Sequence, residues 1–182
     1  MNPLKIIGKY YSSDSIAYNL LIKHSGMVTE KALNIATKVL HLNPDLKFIE
    51  EAAMLHDIGI FLTNEPEIGC YGDKPYICHG YLGRKLLERE GLLKHGLVCE
   101  RHIGVGLNIK DIIEKNLPVP KRDMVPVSIE EQIICFADKF FSKDSDFLMK
   151  EKPFELIRKG IARYGKDKLK KFDDWIKIFG AQ

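Results

Sequence analysis

Glu50-Glu51-Ala52-Ala53-Met54-Leu55-His56-Asp57-Ile58-Gly59-Ile60 is the stretch from which the fold can be read. Taken with Ile49, its residues Ala52, Ala53, His56 and Ile60 recur at the i, i+3, i+4, i+7 spacing of a helix's inward face, so an imidazole stands where an aliphatic side chain is expected. Asp57 lies four residues after Ala53 and borders the same face. Gly59 is the expected stop. An ionised carboxylate so close to an apolar stripe needs a cation or several donors, because unpaired burial is strongly unfavourable.

Working outward, the same pattern recurs. Leu4 to Tyr11 reads as a short first helix, and Ser12-Ser13-Asp14 offers caps for a second, in which Ala17, Leu20, Leu21 and His24 share a face. A third helix is expected from Ser25 or Thr29 to about Leu42, with Ala32, Ile35, Ala36, Val39 and Leu40 buried and Asn43-Pro44 as its end. His41 falls on its polar side and is read as a surface residue. Phe61 to Tyr76, with Pro66, Gly69, Gly72 and Pro75, is irregular, and a loop this long in a compact chain is often functional. The next two helices carry His79, Leu82, Gly83 and Leu86, then Val98, Cys99 and His102. His95 is read as a residue near a helix start, outside the ligand set. Gly104-Val105-Gly106 is read as an ordinary helix-end glycine pair. Asn108 to Asn116 reads as a short helix and Leu117 to Val127 as a second irregular wall. Ser128-Ile129-Glu130-Glu131 has the form of a capping box. In the helix it opens, Ile134, Ala137, Asp138 and Phe141 share the inward face. Phe154 to Phe179 reads as one or two amphipathic helices, with Trp175 as a packing residue.

The chain of 182 residues is long enough to bury a substantial core, and no Pro/Gly/Ser-rich linker divides it, so a single domain is expected over 1–182. The formal net charge is +3. Residues 151–182 hold nine Lys/Arg against five Asp/Glu, or +4, leaving −1 for the rest. Lys166, Lys168, Lys170 and Lys171 crowd one helix without interleaved aromatics, which reads as a solvated face and not as a nucleic-acid groove. No run approaches the ~20 apolar residues of a membrane span, and the first residues lack a signal-peptide core. A cytoplasmic protein with no membrane partner is expected. Cys70, Cys78, Cys99 and Cys135 show no C-x-x-C pairing and are expected as buried free thiols, with a Cys70/Cys78 metal site as the weaker reading.

His24, His56, His79, His102 and Asp138 thus each occupy a position where a helical stripe expects an apolar residue, with Asp57 beside one of them. Isolated core histidines would each need a buried partner of their own; one shared metal site satisfies them all. Four imidazoles and two carboxylates without a thiolate favour iron, manganese, nickel, cobalt or zinc, and six ligands exceed one tetrahedral ion. Two divalent ions with a bridging carboxylate fit the count.

The order His24, His56-Asp57, His79, His102, Asp138 resembles the H…HD…H…H…D signature of the HD-domain superfamily of metal-dependent phosphohydrolases, and His56-Asp57-Ile58-Gly59 spells its HDIG form. The resemblance covers about residues 16–143, with helices about 151–180 outside it. It implies an all-α helical bundle with a central metal site, one ion held by His24, His56, Asp57 and Asp138 and a second by Asp57, His79 and His102. His102 is followed by Ile103 and no GYP element is present, so the chain departs from the branch specific for cyclic dinucleotides.

Two such cations would acidify a shared water and stabilise an in-line displacement at phosphorus, making His56 and Asp57 part of the catalytic centre. Lys74, Arg84, Lys121, Arg122 and Lys139 are the candidates for meeting phosphate oxygens; for Lys139 an ion pair is the competing role. The expected substrate is a small phosphate ester, a nucleotide foremost. Two other readings remain: a mixed-valence di-iron oxygenase acting on a polyol or phosphonate, and a non-enzymatic nucleotide-binding module with structural metals.

Overall fold

A computed structural model describes residues 1–143 and 145–180. Among the described residues the chain is all-α apart from one two-residue-per-strand hairpin. Its helices are α1 (Pro3–Ile7), α2 (Ile16–Lys38), α3 (Leu46–Leu55), α4 (His79–Arg89), α5 (Leu93–Arg101), α6 (Ile109–Glu114), α7 (Ile129–Asp138), α8 (Phe154–Ala162) and α9 (Lys166–Phe179). The hairpin pairs β1 (Asn64–Glu65) with β2 (Cys70–Tyr71) inside the first irregular segment.

The second and third helices expected from the sequence are one. α2 runs unbroken for 23 residues from its cap at Ser15, whose hydroxyl accepts from the Tyr18 amide. Ser25 and Thr29 resemble a new start, but the Thr29 hydroxyl donates to the Ser25 carbonyl at 2.7 Å within the helix, so neither opens a fresh turn. Leu40, expected in the buried stripe, lies in a 3₁₀ turn beyond the helix end and is 56% exposed. α1 is shorter than expected, ending at Ile7. His41 is exposed, as its polar side implied.

α2 packs on α3 and α7, and α5 bridges α3, α4 and α7. Two apolar clusters result. The larger runs along the C-terminal half of α2 through Val28, Ala32 and Ile35 and fills with Phe136, Phe172 and Trp175 from α7 and α9. The smaller joins Ile7, Leu21, Leu55, Ile58 and Leu87. Trp175 also donates from Nε1 to Gln132 Oε1 at 3.0 Å, so it packs and anchors at once. Lys168 departs from the solvated face expected of it: it is buried and ion-paired with Asp111, which also caps α6. The Ser128 hydroxyl caps α7 by accepting from the Glu131 amide at 3.2 Å, while the Glu131 carboxylate reaches the Val127 amide at 2.7 Å, one residue short of a reciprocal box.

Gly59 has a different role from the helix stop expected of it. α3 already ends at Leu55, and Gly59 has φ −84°, which any residue adopts. A Cβ there would lie 2.2 Å from the His79 carbonyl oxygen and 2.5 Å from the Gly83 nitrogen. The glycine lets the start of α4 lie directly on the turn after Asp57.

Candidate metal centre

The seam between the two apolar clusters is where the polar ligands gather. On α2, His24 stands between Leu21 of the smaller cluster and Val28 of the larger. His56 is the C-cap of α3, His79 the first residue of α4, His102 the C-cap of α5 and Asp138 the last residue of α7. All four imidazoles and Asp57 are buried.

Their arrangement divides at Asp57. Oδ2 faces His24 Nε2 at 3.3 Å and His56 Nε2 at 3.2 Å, and Asp138 Oδ1 lies 3.1 Å and 3.5 Å from the same two nitrogens. Oδ1 faces His79 Nε2 at 3.2 Å and His102 Nε2 at 3.4 Å. Two groups able to hold a metal ion result, His24-His56-Asp57-Asp138 and Asp57-His79-His102, joined by one carboxylate.

The backbone fixes what these nitrogens are. His56 Nδ1 lies 2.7 Å from the Ala53 carbonyl, His79 Nδ1 2.6 Å from that of Tyr76, and His102 Nδ1 2.7 Å from that of Cys99. A carbonyl only accepts, so each Nδ1 carries a proton, and in the ring's neutral, ligating form the lone pair of Nε2 turns inward. His79 Nε2 and His102 Nε2 are then two lone pairs 3.1 Å apart, facing a carboxylate oxygen. Asp57 Oδ1, His56 Nε2 and His24 Nδ1 are buried without a hydrogen bond, and the charged donors beside the carboxylates are Lys143 at Asp57 Oδ2 and Lys139 at Asp138. A buried cluster this rich in acceptors and poor in donors is unfavourable for protein alone and fits a divalent cation, with the i−3 carbonyls as the outer partners that orient metal-binding histidines.

Charge in the cluster shifts its protonation accordingly. Burial pulls His56 down, but Asp57 and Asp138 more than offset this and bring it up to about 9. Burial takes His102 the other way, to about 4, against the pull of Asp57. Asp57 is held well below the usual carboxylate range despite burial, chiefly by Lys143 and His56, and Asp138 by Lys139 and His24.

Lys143 is the residue the sequence reasoning missed. Its ammonium lies 2.5 Å from Asp57 Oδ2. It follows Asp138 by five residues in irregular chain, where no periodicity marks it; the Lys139-x-x-x-Lys143 spacing was the available signal. Lys139 lies 2.7 Å from Asp138 Oδ2 and donates to the His102 carbonyl at 3.1 Å. The structure keeps the other basic candidates apart from the cluster. Lys74 is exposed and paired with Asp73. Arg84 and Arg122 both bind the buried Glu100, and Lys121 is exposed. His95 pairs with Glu51 at 3.3 Å, away from the ligands. All four cysteines are buried and free.

The cluster opens into a cavity of about 870 Å³ that Lys139 and Lys143 line beside His24, His79 and Asp138. Of the two walls expected from the sequence, the first contributes Glu65, Ile68 and Tyr76, whereas the second supplies only Leu117. The segment 103–107, α6, the stretch after α7 and α8 also contribute. Gly104 and Gly106, read as unremarkable from sequence, take φ +61° and +97° and form part of that lining. Among the described residues no helix is long and apolar enough to cross a membrane.

The model of the family described as HD domain matches residues 21–142. Over 159 residues the chain is 30% identical to a protein named tRNA (cytidine(56)-2'-O)-methyltransferase from Thermoplasma volcanium, covering 87% of this chain and 41% of that protein. A protein of the same name from Picrophilus torridus is 29% identical over 136 residues, 74% of this chain and 35% of its own length. An uncharacterized protein from Methanocaldococcus jannaschii is 31% identical over 121 residues, 65% of this chain and 64% of that protein. The chain therefore spans between about a third and two thirds of the length of these relatives. No solved structure matches it.

Proposed function

The chain belongs to the HD-domain family, and from that premise we propose that it is a phosphohydrolase that uses two divalent metal ions to cleave a small phosphate ester, a nucleotide foremost. One observation carries the reading: two ligand groups share the two oxygens of Asp57 at the head of a cavity whose lining lysines include Lys139 and Lys143, each paired with a ligand carboxylate. Iron, manganese, cobalt, nickel or zinc each suit this donor set. His24, His56, Asp57 and Asp138 would hold one ion and Asp57, His79 and His102 the other. When bound, such a pair supplies an acidified water and charge stabilisation for in-line displacement at phosphorus.

The chain's own contributions follow from charge and burial. The three i−3 carbonyls hold their imidazoles in the ligating tautomer before any ion arrives, so no reorientation is needed. Lys139 and Lys143 are the cations beside the cavity that can meet non-bridging phosphate oxygens. Burial pushes the Tyr76 phenol up, so at neutral pH it remains a hydrogen-bond donor in the cavity wall. The apolar clusters on either side of the seam exclude water from the ligands and strengthen each of these interactions.

Relatives named as tRNA methyltransferases align through only 41% and 35% of their lengths, and the ligand set of this chain is suited to cations and not to a methyl donor. The test is phosphate release from a panel of phosphomonoesters and diesters, nucleoside 5'-monophosphates included, with Mn²⁺, Co²⁺, Ni²⁺ or Fe²⁺ under anaerobic conditions. Turnover lost in Asp57→Asn supports the hydrolase. No turnover with any ion overturns it, and oxygen consumption with iron in its place would assign the site to oxygenase chemistry.

A further inference from the structure

Charged side chains line much of the cavity, Lys139 and Lys143 beside the ligand cluster and Asp111, Lys115, Lys152 and Lys168 elsewhere, but one wall is apolar. That wall is built largely by α8, which lies beyond residue 142, where the family match ends. Ile157 and Ile161 fasten α8 to the larger apolar cluster while also lining the cavity. Leu156 and Tyr164, at 45% and 66% exposure, carry the apolar lining out to solvent. Between them stands Gly160, in the last turn of α8. A Cβ at this position would meet nothing within 4 Å, so no close approach requires the glycine. A glycine inside a helix is less favourable than alanine, and here the space it leaves is part of the cavity. A bare phosphate or an ester of a small polyol would leave this wall wetted, since about 870 Å³ is near the upper end of the range for small-molecule pockets.

We propose that the phosphate ester taken by this site carries an apolar body, of ring size or larger, which lodges against α8 over Gly160 while its phosphate meets the ligand cluster. The phosphate end rests on the hydrolase reading above; the apolar end rests on the cavity alone. The shared chemistry is an apolar ring face, which a nucleobase or a simple aryl group can present.

The test uses the full metal-loaded chain as wild type, Gly160→Leu and Gly160→Ala. Both variants place better helix formers in open space, so their melting temperatures should equal or exceed that of wild type. Wild type is expected to prefer 1-naphthyl phosphate or a nucleoside monophosphate over glycerol phosphate by about tenfold or more in kcat/KM. Gly160→Leu should remove about tenfold from the ring-bearing esters and change glycerol phosphate by less than about twofold, with Gly160→Ala close to wild type. Loss on the nucleotide alone identifies a nucleobase as the apolar body, and loss on both a ring in general. Equal losses on all three esters, or none, would overturn the proposal. If no ester is turned over, the hydrolase reading falls, and calorimetry with the same ring-bearing phosphates still decides the inference: affinity weakened about tenfold by leucine but not by alanine supports it. Unchanged affinity, or no binding, refutes it.

Discussion

The two halves of the ligand cluster share Asp57 yet are built differently. The half formed by His24, His56, Asp57 and Asp138 has two carboxylates, each neutralised by a lysine, and draws on α2, α3 and α7. The half formed by Asp57, His79 and His102 has one carboxylate oxygen, two facing lone pairs and no lysine within ion-pair distance of Oδ1 among the described residues. It depends on α4 lying hard against the turn after Asp57, which Gly59 permits. Four protein ligands would fill a tetrahedral ion and leave two positions on an octahedral one, whereas three would leave more for water and substrate. If both halves are loaded, the contrast predicts a more tightly held ion in the first and a more exchangeable one in the second.

The largest expected effect comes from the residue the halves have in common. Asp57→Ala should empty both and lower phosphate release by about 10³-fold or more, read by elemental analysis and by assay. Separating the halves is the next test. His79→Ala or His102→Ala should reduce bound metal from two ions to one, whereas His24→Ala with Asp138→Ala should reduce affinity in the first half; loss of all metal in both cases would show one indivisible site. Gly59→Ala should act on the second half through packing. Forcing α4 away from a Cβ that would sit 2.2 Å from the His79 carbonyl should destabilise the protein by about 1–3 kcal/mol and weaken the second ion more than the first.

Lys143→Met tests the lysine that stands on the first half. In the metal-free protein it leaves Asp57 without its main counter-charge and should destabilise by about 3 kcal/mol, measured by denaturant unfolding. In the metal-loaded protein the same change should have a much smaller effect. The smallest effect lies outside both halves. Burial lowers His95 from its ordinary 6.5, with Glu51 opposing. A depressed histidine means the unfolded chain binds more protons, so this group's contribution falls as pH drops below 6.5 and is fully present above it. His95→Gln should flatten that part of the stability profile in the metal-loaded protein, leaving metal content unchanged.

What could be read from the sequence follows from how each residue announces itself. An imidazole at an inward helical position is conspicuous against an aliphatic stripe, which is why His24, His56, His79 and His102 could be singled out before their convergence was visible. Gly59 was conspicuous for the wrong reason, since its partner, the first turn of α4, is twenty residues away in sequence. The unbroken α2 was hidden because Ser25 and Thr29 have the chemistry of caps, and only tertiary packing decides that they lie within a helix. Lys143 follows no periodicity at all, and the cavity wall from α8 depends on where that helix docks. Lys168 looked like one more solvated lysine until Asp111 proved to be beside it.

Anomalous scattering at the metal edges of crystals grown with Mn²⁺ or Fe²⁺ tests the central claim most directly. The account predicts two peaks about 3.5–4 Å apart, one on each side of the Asp57 carboxylate. A single peak, or peaks that leave Asp57 uncoordinated, would contradict it.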